Sequence, residues 1–236
     1  YATNSNGTAY GSAMSFTTQE GSSGGTFTDP RDGKVYQTVV IGNQEWMAEN
    51  LAYLPSVVGP DTHSSTTPYY YVYGYDGTNV TDAKATSNYT TYGVLYNWPA
   101  AMAGSASSNA NPSGVQGVCP AGWHLPSDAE WTELTDYLGG EDVAGGKLKE
   151  AGYDHWQSPN LGATNETGFT ALPGGYCEFS NNFVGIGNCG YWWSATKYFT
   201  TYRVCYRSLY YIYSYVSISS GDAPEYFGYS VRCVRD

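Results

Sequence analysis

The sequence predicts a mixed domain of short β-strands, many turns and few helices. A capping box at Ser127–Glu130, followed by apolar residues along one helical stripe, predicts one clear helix. The chain after Gly168 is rich in Tyr and Ser and is interrupted by Gly and Asn, which is typical of strands joined by turns. Aromatic residues make up 17% of the 236 residues and charged residues only 13%, which is the composition of a folded chain.

The N-terminal residues predict a separate unit. Residues 1–18 show two short strand patterns around the turn Asn4–Gly7, and they resemble the last two strands of an immunoglobulin-like or fibronectin type III-like module. Because a lone hairpin has no second layer to cover its face, we expect it to be the end of an upstream module. Residues 19–26 are rich in Gly and Ser and predict a flexible linker. Residues 27–236 then form one long domain.

The first half of this domain predicts strands followed by loops. A strand over Lys34–Ile41 is followed by a turn at Gly42–Asn43 and a second strand at Gln44–Met47. Residues 60–88 are rich in Asp, Thr, Ser and Gly and predict long loops. Apolar residues recur at helical spacing over Tyr92–Met102, where an internal proline predicts a short or kinked helix.

The second half predicts two helices and then strands. The capping-box helix carries Trp131, Leu134, Tyr137 and Leu138 on one stripe and ends at the following Gly pair. A shorter helix over Val143–Ala151 is weakened by its glycines. The rest of the chain predicts strands, the last being Tyr229–Asp236, in which alternate residues face opposite sides.

Charge and hydropathy exclude two classes of partner. The net charge is −11, and residues 197–236 carry only five Lys or Arg against three Asp or Glu, so we expect no nucleic-acid ligand. No apolar stretch approaches the length of a membrane span, and residues 1–30 contain no signal peptide pattern, so we expect that any export signal has been removed or lies outside this sequence. The scarcity of Lys and the abundance of Tyr, Gly, Ser and Thr favour an extracellular location on a bacterial outer surface.

Six local strings occur in order along the chain: Asp32–Tyr36, Gln44–Leu51, Tyr92–Trp98, Cys119–Trp131, Tyr191–Thr196 and Ser230–Asp236. Taken together, they closely resemble the Fibrobacter succinogenes major paralogous domain, a family of exported bacterial proteins, over residues 27–236. This family is related to the formylglycine-generating enzyme and the C-type lectin-like group. The resemblance implies an α+β fold, C-type lectin-like, with two helices flanking small twisted antiparallel sheets.

A second resemblance lies within the first. The stretch Tyr198–Tyr226 is crowded with Tyr and Ser and resembles the variable region of proteins diversified by retroelements, in which template Asn codons become Tyr, Ser, Asp, Ile, Thr or Cys. Such regions are usually carried on C-type lectin-like folds at pilus tips or on the outer surface. The resemblance implies a protein or glycan ligand on another cell or host surface, with pilus or surface-anchor components as further partners.

The tyrosine-rich stretch itself favours a binding surface. Tyr gives large contact areas at a low entropy cost and Ser gives adaptable hydrogen bonds, as in antibody loops. The alternative is that these tyrosines are structural, because strands favour Tyr. If the stretch is one strand, Tyr211, Tyr213 and Tyr215 share one face with Ser217. We predict that Leu209 and Val216 point inward. The predicted ligand-binding residues are Tyr202, Tyr206, Ser208, Tyr211, Tyr213, Tyr215, Ser217, Ser219, Asp222, Glu225 and Tyr226.

Five cysteines leave several disulfide pairings open. The family resemblance implies a bridge between Cys119 and Cys233. Cys177 and Cys189 lie at the two ends of a loop rich in Gly and Asn, so we predict a local bridge between them. Cys205 remains as a free thiol within the suspected variable region, and bridges of this kind would require export to an oxidising compartment.

Catalytic and metal-binding patterns are weak. Cys119 and His124 are close enough to suggest a thiol and its base, but both lie in strings that the family resemblance marks as structural. No spacing matches a zinc site, and the motifs of calcium-dependent sugar binding are missing, so we expect no cofactor, although a structural calcium ion near Asp76–Asp82 stays open. We therefore expect a non-enzymatic, surface-displayed ligand-binding protein, an adhesin or a receptor-binding tip. The alternatives are a fixed-specificity carbohydrate-binding or cell-envelope module and, third, an enzyme of the formylglycine-generating type.

Overall fold

A computed structural model describes residues 2–4, 7–9, 24–178, 182–198 and 203–236. The predicted mixture of mostly strands with few helices is confirmed. In chain order, the strands are β1 (Ala2–Asn4), β2 (Gly7–Ala9), β3 (Thr26–Thr28), β4 (Val35–Ile41), β5 (Gln44–Met47), β6 (Tyr70–Tyr71), β7 (Leu95–Tyr96), β8 (Trp123–His124), β9 (Gly174–Glu178), β10 (Asn182–Ile186), β11 (Cys189–Tyr198), β12 (Arg203–Tyr210), β13 (Ser217–Ala223), β14 (Tyr229–Ser230) and β15 (Val234–Arg235). The helices are α1 (Val80–Lys84), α2 (Ser87–Tyr92), α3 (Trp98–Met102), α4 (Asp128–Tyr137) and α5 (Glu141–Leu148).

Three sheets contain these strands. The strands β1 and β2 pair with each other in antiparallel orientation, as the turn at Asn4–Gly7 predicts. A five-stranded sheet has the order β3-β4-β5-β15-β8. An eight-stranded sheet has the path β10-β9-β11-β14-β7-β6, and β12 joins it by pairing with both β11 and β13. The hairpin of β12 and β13 therefore extends the sheet from the long strand β11.

The start of the domain is attached to β4. The N–H of Gly25 donates to the side-chain hydroxyl of Thr38, and the N–H of Thr38 donates to the carbonyl of Gly25. Residues 24–25 and the first residue of β3 belong to the segment that the sequence predicts as a linker. The end of that segment is thus hydrogen-bonded to the domain that follows it.

The helix α4 confirms the capping-box prediction. The Ser127 side chain accepts a hydrogen bond from the N–H of Glu130, and the Glu130 carboxylate accepts one from the N–H of Ser127. On the predicted stripe, Trp131, Leu134 and Leu138 are buried, whereas Tyr137 is exposed. The second predicted helix is present as α5, although it begins and ends earlier than the sequence indicates.

The predicted helix over residues 92–102 is wrong in its first half. Residues 95–96 form β7, and the helix α3 begins only after Asn97, whose side chain caps it by accepting from the N–H of Ala100. Pro99 occupies the first turn, where it needs no hydrogen-bond partner, so it starts the helix instead of interrupting it. The predicted loops over residues 60–88 also contain β6, α1 and the beginning of α2.

The closing strand is two strands. β14 pairs in the eight-stranded sheet and β15 pairs in the five-stranded sheet, so the chain crosses between sheets at residues 231–233. The sequence predicted that alternate residues of this segment face opposite sides. In the structure both sides are covered, and all residues from 229 to 234 are buried. Arg232 donates to the carbonyl of Met47 and to the side chain of Asn50 at this crossing.

Two hydrophobic clusters lie on opposite faces of β11. Tyr191 and Trp193 point into the larger cluster, which also contains Tyr229. Trp192 points into the second cluster, where it packs with Trp131 of α4 and with other aromatic and aliphatic side chains. The alternation of side chains along a strand thus gives β11 one face toward α4 and α5 and one face toward the tyrosines.

The cysteines confirm one predicted bridge and contradict the other. A disulfide joins Cys119 to Cys233, and it ties the chain before α4 to the segment between β14 and β15.

Cys177 and Cys189 are free and buried, so the predicted bridge between them is wrong. In the parallel pairing of β9 and β11, Gly190 lies opposite Gly175. Cys177 is therefore offset from Cys189 by three residues, or roughly 10 Å along the strands, beyond the reach of a disulfide. Cys205 is free and buried.

Candidate functional site

The register of β11 and β12 places the tyrosine-rich stretch beside the long strand β11. Across this antiparallel pair, Trp193 lies opposite Tyr206, Tyr191 opposite Ser208, and Cys189 opposite Tyr210. Because side chains alternate, the three β12 residues share one face with Tyr191. This face lies opposite the helices α4 and α5.

Among the described residues, nine tyrosine and phenylalanine side chains form one connected array on this side of the molecule, which we call the aromatic face. The ring of Tyr191 is central, with its centroid 5.6 Å from that of Tyr206, 6.0 Å from that of Tyr210 and 4.8 Å from that of Tyr176. Tyr210 continues the array to Tyr213, at 6.1 Å. The members of the aromatic face are Tyr176, Tyr191, Tyr206, Tyr210, Tyr213, Tyr215, Tyr226, Phe227 and Tyr229.

The array passes from buried rings to exposed rings. Tyr229 and Tyr191 are 2% and 8% exposed, and they form the base. Tyr213 and Tyr215 are 39% and 37% exposed, and their rings stack with centroids 4.6 Å apart. The exposed pair is linked to the buried base through Tyr210, whose ring contacts both Tyr213 and Tyr191.

Ser208 occupies a different position from the one that the sequence predicts. It lies on the same face as the tyrosines but is only 2% exposed. Its neighbours on β12, Tyr206 and Tyr210, and Tyr191 on the opposite strand enclose the small side chain. The expectation that Ser208 points outward is therefore wrong.

Residues 211–216 form the turn between β12 and β13, so the prediction of one continuous strand is wrong. Tyr211 packs against the second cluster, on the helix side, and is separated from Tyr213 and Tyr215. Ile212, which strand alternation assigns to the opposite face from these tyrosines, is 39% exposed in the turn. Tyr213, Tyr215 and Ile212 are thus the large side chains that this turn presents to solvent.

The inner side of β12 is fixed by the scaffold. The buried guanidinium of Arg207 forms an ion pair with Asp128 at the start of α4, and it also donates to the hydroxyl of Thr132. Leu209 is buried in the second cluster, and Val216, beyond the turn, is buried beside it. The inward orientation that the sequence predicts for Leu209 and Val216 is confirmed.

The remaining predicted contact residues have different surroundings. The carboxylate of Glu225 pairs with Lys197, and its carbonyl accepts from the N–H of Trp98. Tyr226 is half-buried, next to the ring of Phe227, and Ser217 is half-buried at the start of β13. Tyr202 and the side chains of Ser219 and Asp222 lie outside the described residues.

Burial controls the ionisation of the aromatic face. It raises the pKa of Tyr191, whose hydroxyl is hydrogen-bonded to that of Tyr210, and it raises the pKa of Tyr229 well above the ordinary value. Burial, with a smaller contribution from Glu178, raises the pKa of Tyr176 to about 12. These three phenols are neutral at physiological pH, so the base of the aromatic face carries no phenolate charge.

The cysteine and histidine candidates do not form a nucleophile and base. Cys119 is in the disulfide, so it has no thiol to pair with His124. The two ring nitrogens of His124 lie 2.6 Å from a Glu130 oxygen and 2.8 Å from an Asp236 oxygen. Burial alone would lower the pKa of His124, but these two carboxylates outweigh it and raise the pKa.

The three free thiols are protected. Burial raises the pKa of Cys177, Cys189 and Cys205 to about 12 in each case. A thiol with such a pKa is almost wholly protonated at neutral pH and is a weak nucleophile.

The segment considered for calcium has a structural role. The Asn79 side chain accepts from the N–H groups of Thr81 and Asp82 and thereby caps α1. Within the described ranges, no three His, Cys, Asp or Glu side chains are grouped so that they could hold a metal ion. In the same part of the chain, no helix has the length and apolar character needed to cross a membrane.

Sequence reasoning missed several members of the site. Tyr176 lies on β9, far along the chain from the tyrosine-rich stretch, and it joins the aromatic face through the pairing of β9 with β11. Tyr210 and Phe227 lie within or beside the stretch, but neither is among the predicted contact residues. The density of Tyr after residue 198 marks the region, whereas the choice of individual residues requires the strand register.

The comparisons with known proteins identify the family. The Fibrobacter succinogenes major domain matches residues 39–235, from within β4 to within β15. No curated protein and no solved structure matches the chain. Since the match covers most of the chain and includes the aromatic face, the chain belongs to the Fibrobacter succinogenes major domain family.

Proposed function

We propose that this protein is a non-enzymatic recognition protein of the bacterial outer surface, an adhesin or a receptor-binding tip, which binds a protein or glycan ligand through the aromatic face. The observation that carries the proposal is the exposed, stacked pair of Tyr213 and Tyr215 resting on a packed array of further tyrosines. Tyr is enriched in binding surfaces because it combines a large rigid ring with a hydroxyl group that can donate and accept hydrogen bonds.

A C-type lectin-like scaffold that carries a retroelement-diversified region is part of this proposal. Two features of residues 203–216 support it. The exposed positions 212, 213 and 215 carry large side chains, two of them Tyr, whereas the inward positions Arg207 and Leu209 are fixed by contacts with the second cluster and with α4. Diversification that changed only the outward side chains would alter the ligand contacts and leave the fold intact.

The state of the cysteines supports a binding role over an enzymatic one. An enzyme of the formylglycine-generating type relies on a pair of active-site cysteines, and Cys177 and Cys189 are buried in different clusters. Because the pKa of each thiol is about 12, neither is activated for nucleophilic attack.

The proposal is tested by binding assays with a double variant. The wild-type protein, Tyr213→Ala/Tyr215→Ala and the control Tyr153→Ala are applied to an array of immobilised glycans and to a panel of purified cell-surface proteins. Tyr153 is 64% exposed and lies outside the aromatic face, so its removal deletes an exposed ring of the same kind. We expect the control to retain the wild-type signals and the double variant to lose them, since aromatic anchors each contribute about 2 kcal/mol or more. Equal binding by the two variants would exclude the aromatic face as the site.

A further inference from the structure

The turn that carries Tyr213 and Tyr215 is held by the rest of the domain almost entirely through its main chain. Three segments outside the turn provide the partners. The N–H of Tyr211 donates to the carbonyl of Asn188 at 2.9 Å, and its carbonyl accepts from the N–H of Leu161 at 2.8 Å. At the other end, the carbonyl of Ser214 accepts from the N–H of Gly146 at 2.8 Å, and the N–H of Val216 donates to the carbonyl of Glu141 at 2.9 Å.

Lys149 adds a second set of main-chain contacts. Its side chain is fully buried, and its ammonium group lies 5.4 Å from the centre of the Trp156 ring. The Nζ atom donates to the carbonyl oxygens of Tyr210 at 3.1 Å, Tyr213 at 2.8 Å and Leu161 at 3.0 Å. A lysine ammonium has three N–H donors, so each donor has one carbonyl acceptor and the group joins both sides of the turn to the adjacent loop.

Two glycines of α5 make room for this arrangement. A Cβ atom on Gly145 would lie 2.4 Å from the carbonyl oxygen of Tyr215, and one on Gly146 would lie 2.3 Å from that of Gly162. A glycine inside a helix lowers helix stability by about 1 kcal/mol relative to alanine, so these two glycines lower the intrinsic stability of α5. The close approach of the turn to Gly145 and of the loop at Gly162 to Gly146 explains why the helix contains two glycines in succession.

We propose that Lys149, Gly145 and Gly146 form a cradle that fixes the main chain of residues 211–216 whatever side chains occupy the exposed positions 212, 213 and 215. Among the contacts described above, no partner atom on the turn belongs to a side chain. One side-chain contact is present, in which the hydroxyl of Ser214 donates to the carbonyl of Asp142 at 3.1 Å. Ile212, Tyr213 and Tyr215 are therefore free to change without loss of the hydrogen bonds that shape the turn, and Lys149 is a positioning residue for the recognition surface.

This inference rests on the proposed recognition function for its purpose, but its test needs no ligand. Amide hydrogen exchange is measured at Gly146, Leu161, Tyr211 and Val216, whose N–H groups make the contacts between the turn and the cradle. The amides of β4 serve as an internal reference. If the binding assay fails, the exchange result still stands. If the exchange experiment fails, the binding result still stands.

Three variants separate the roles of main chain and side chains. In Ile212→Ser/Tyr213→Ser/Tyr215→Ser, we expect the four amides to exchange within about threefold of the wild-type rates, because their partners are unchanged. In Lys149→Met, we expect exchange at these amides to accelerate at least about tenfold while the β4 amides keep their rates. Lys147→Met, at a partly exposed position of α5 two residues before Lys149, is the matched control and should leave both sets unchanged.

The proposal is judged by comparing the change in exchange at the four amides between the turn and the cradle with the change at the β4 amides. A lysine with only a general structural role would accelerate exchange in β4 as strongly as in the turn, and that result would overturn the proposal. Loss of protection in the serine variant would overturn it as well. If Lys149→Met does not fold, Gly145→Ala replaces it, because the added methyl group meets the carbonyl of Tyr215 without leaving a buried group unpaired. Full protection of the turn in Gly145→Ala would then exclude the cradle.

Discussion

The phenol ring of Tyr191 stacks on the ring of Tyr229, with 4.9 Å between the ring centroids. Tyr191 belongs to the long strand β11 and Tyr229 to the short strand β14, which pairs in parallel with it. The two buried rings form the base on which the exposed tyrosines lie. Removal of a base ring and removal of an outer ring should therefore have different consequences.

Tyr229→Ala should lower the free energy of unfolding by about 3 to 5 kcal/mol, because it creates a cavity among five aromatic neighbours. Tyr213→Ala/Tyr215→Ala should lower it by less than about 1.5 kcal/mol, since it removes one exposed stacked pair. Urea unfolding followed by tryptophan fluorescence measures both. A large loss of stability in the double variant would mean that Tyr213 and Tyr215 are structural.

The disulfide prediction concerns covalent structure and stability. Peptide mapping without reduction should recover Cys119 linked to Cys233, with Cys177, Cys189 and Cys205 as free thiols. Because the bridge spans 114 residues, Cys119→Ala/Cys233→Ala should lose about 4 to 5 kcal/mol in the loop-entropy description. Cys205→Ala, which deletes a buried thiol but no bridge, should lose considerably less. Recovery of a peptide pair that contains Cys205 would contradict the assignment.

A comparison of the same locus among close strains tests diversification and separates it from fixed specificity. We expect differences at Tyr206, Tyr210 and the turn positions 212, 213 and 215, with Arg207 and Leu209 unchanged. The inward pair is constrained by Asp128 and by the second cluster, so replacement there would leave a buried group without its partner. Differences spread evenly over inward and outward positions would reject the retroelement hypothesis.

The buried Lys149 predicts a specific dependence of stability on pH. Burial lowers its pKa from the ordinary 10.5 to about 8 in the folded protein. Between these two values the unfolded chain binds the proton and the folded chain releases it, so the free energy of unfolding should rise with pH. Each pKa unit corresponds to about 1.4 kcal/mol, which limits the rise to about 3 kcal/mol.

Lys149→Met is the reference for this measurement, because both proteins share the tyrosines that titrate at high pH. Urea unfolding from pH 7 to pH 10.5 should show the wild-type curve rising relative to that of the variant. Parallel curves would mean that the folded and unfolded proteins bind this proton equally.

The sequence was sufficient to predict those elements whose stabilising contacts join residues close together in the chain. The capping box of α4 joins Ser127 to Glu130 within one turn, and the hairpin of β4 and β5 needs only the intervening Gly42–Asn43. The helix predicted over residues 92–102 was wrong because β7 pairs with β14, more than a hundred residues later, and this long-range pairing outweighs helical spacing.

The segment that carries the candidate site could be located from the sequence, but the individual residues that form the site could not. The density of Tyr indicated the right segment, yet strand alternation applied to residues 210–218 misplaced Tyr211 and Ile212, since the chain turns there. The exclusion of Ser208 from solvent and the contribution of Tyr176 both depend on the register of neighbouring strands. Register is determined by the burial of whole faces and is not carried by any single residue.

The disulfide also determines how the domain carries mechanical load. Tension that runs along the backbone from before Cys119 to beyond Cys233 crosses the sulfur–sulfur bond directly, so residues 120–232 lie outside the load path. Every ring of the aromatic face belongs to that shielded segment. A pull transmitted through the flanking chain would therefore leave the strands that display the tyrosines unstretched, and the surface would keep its shape under shear.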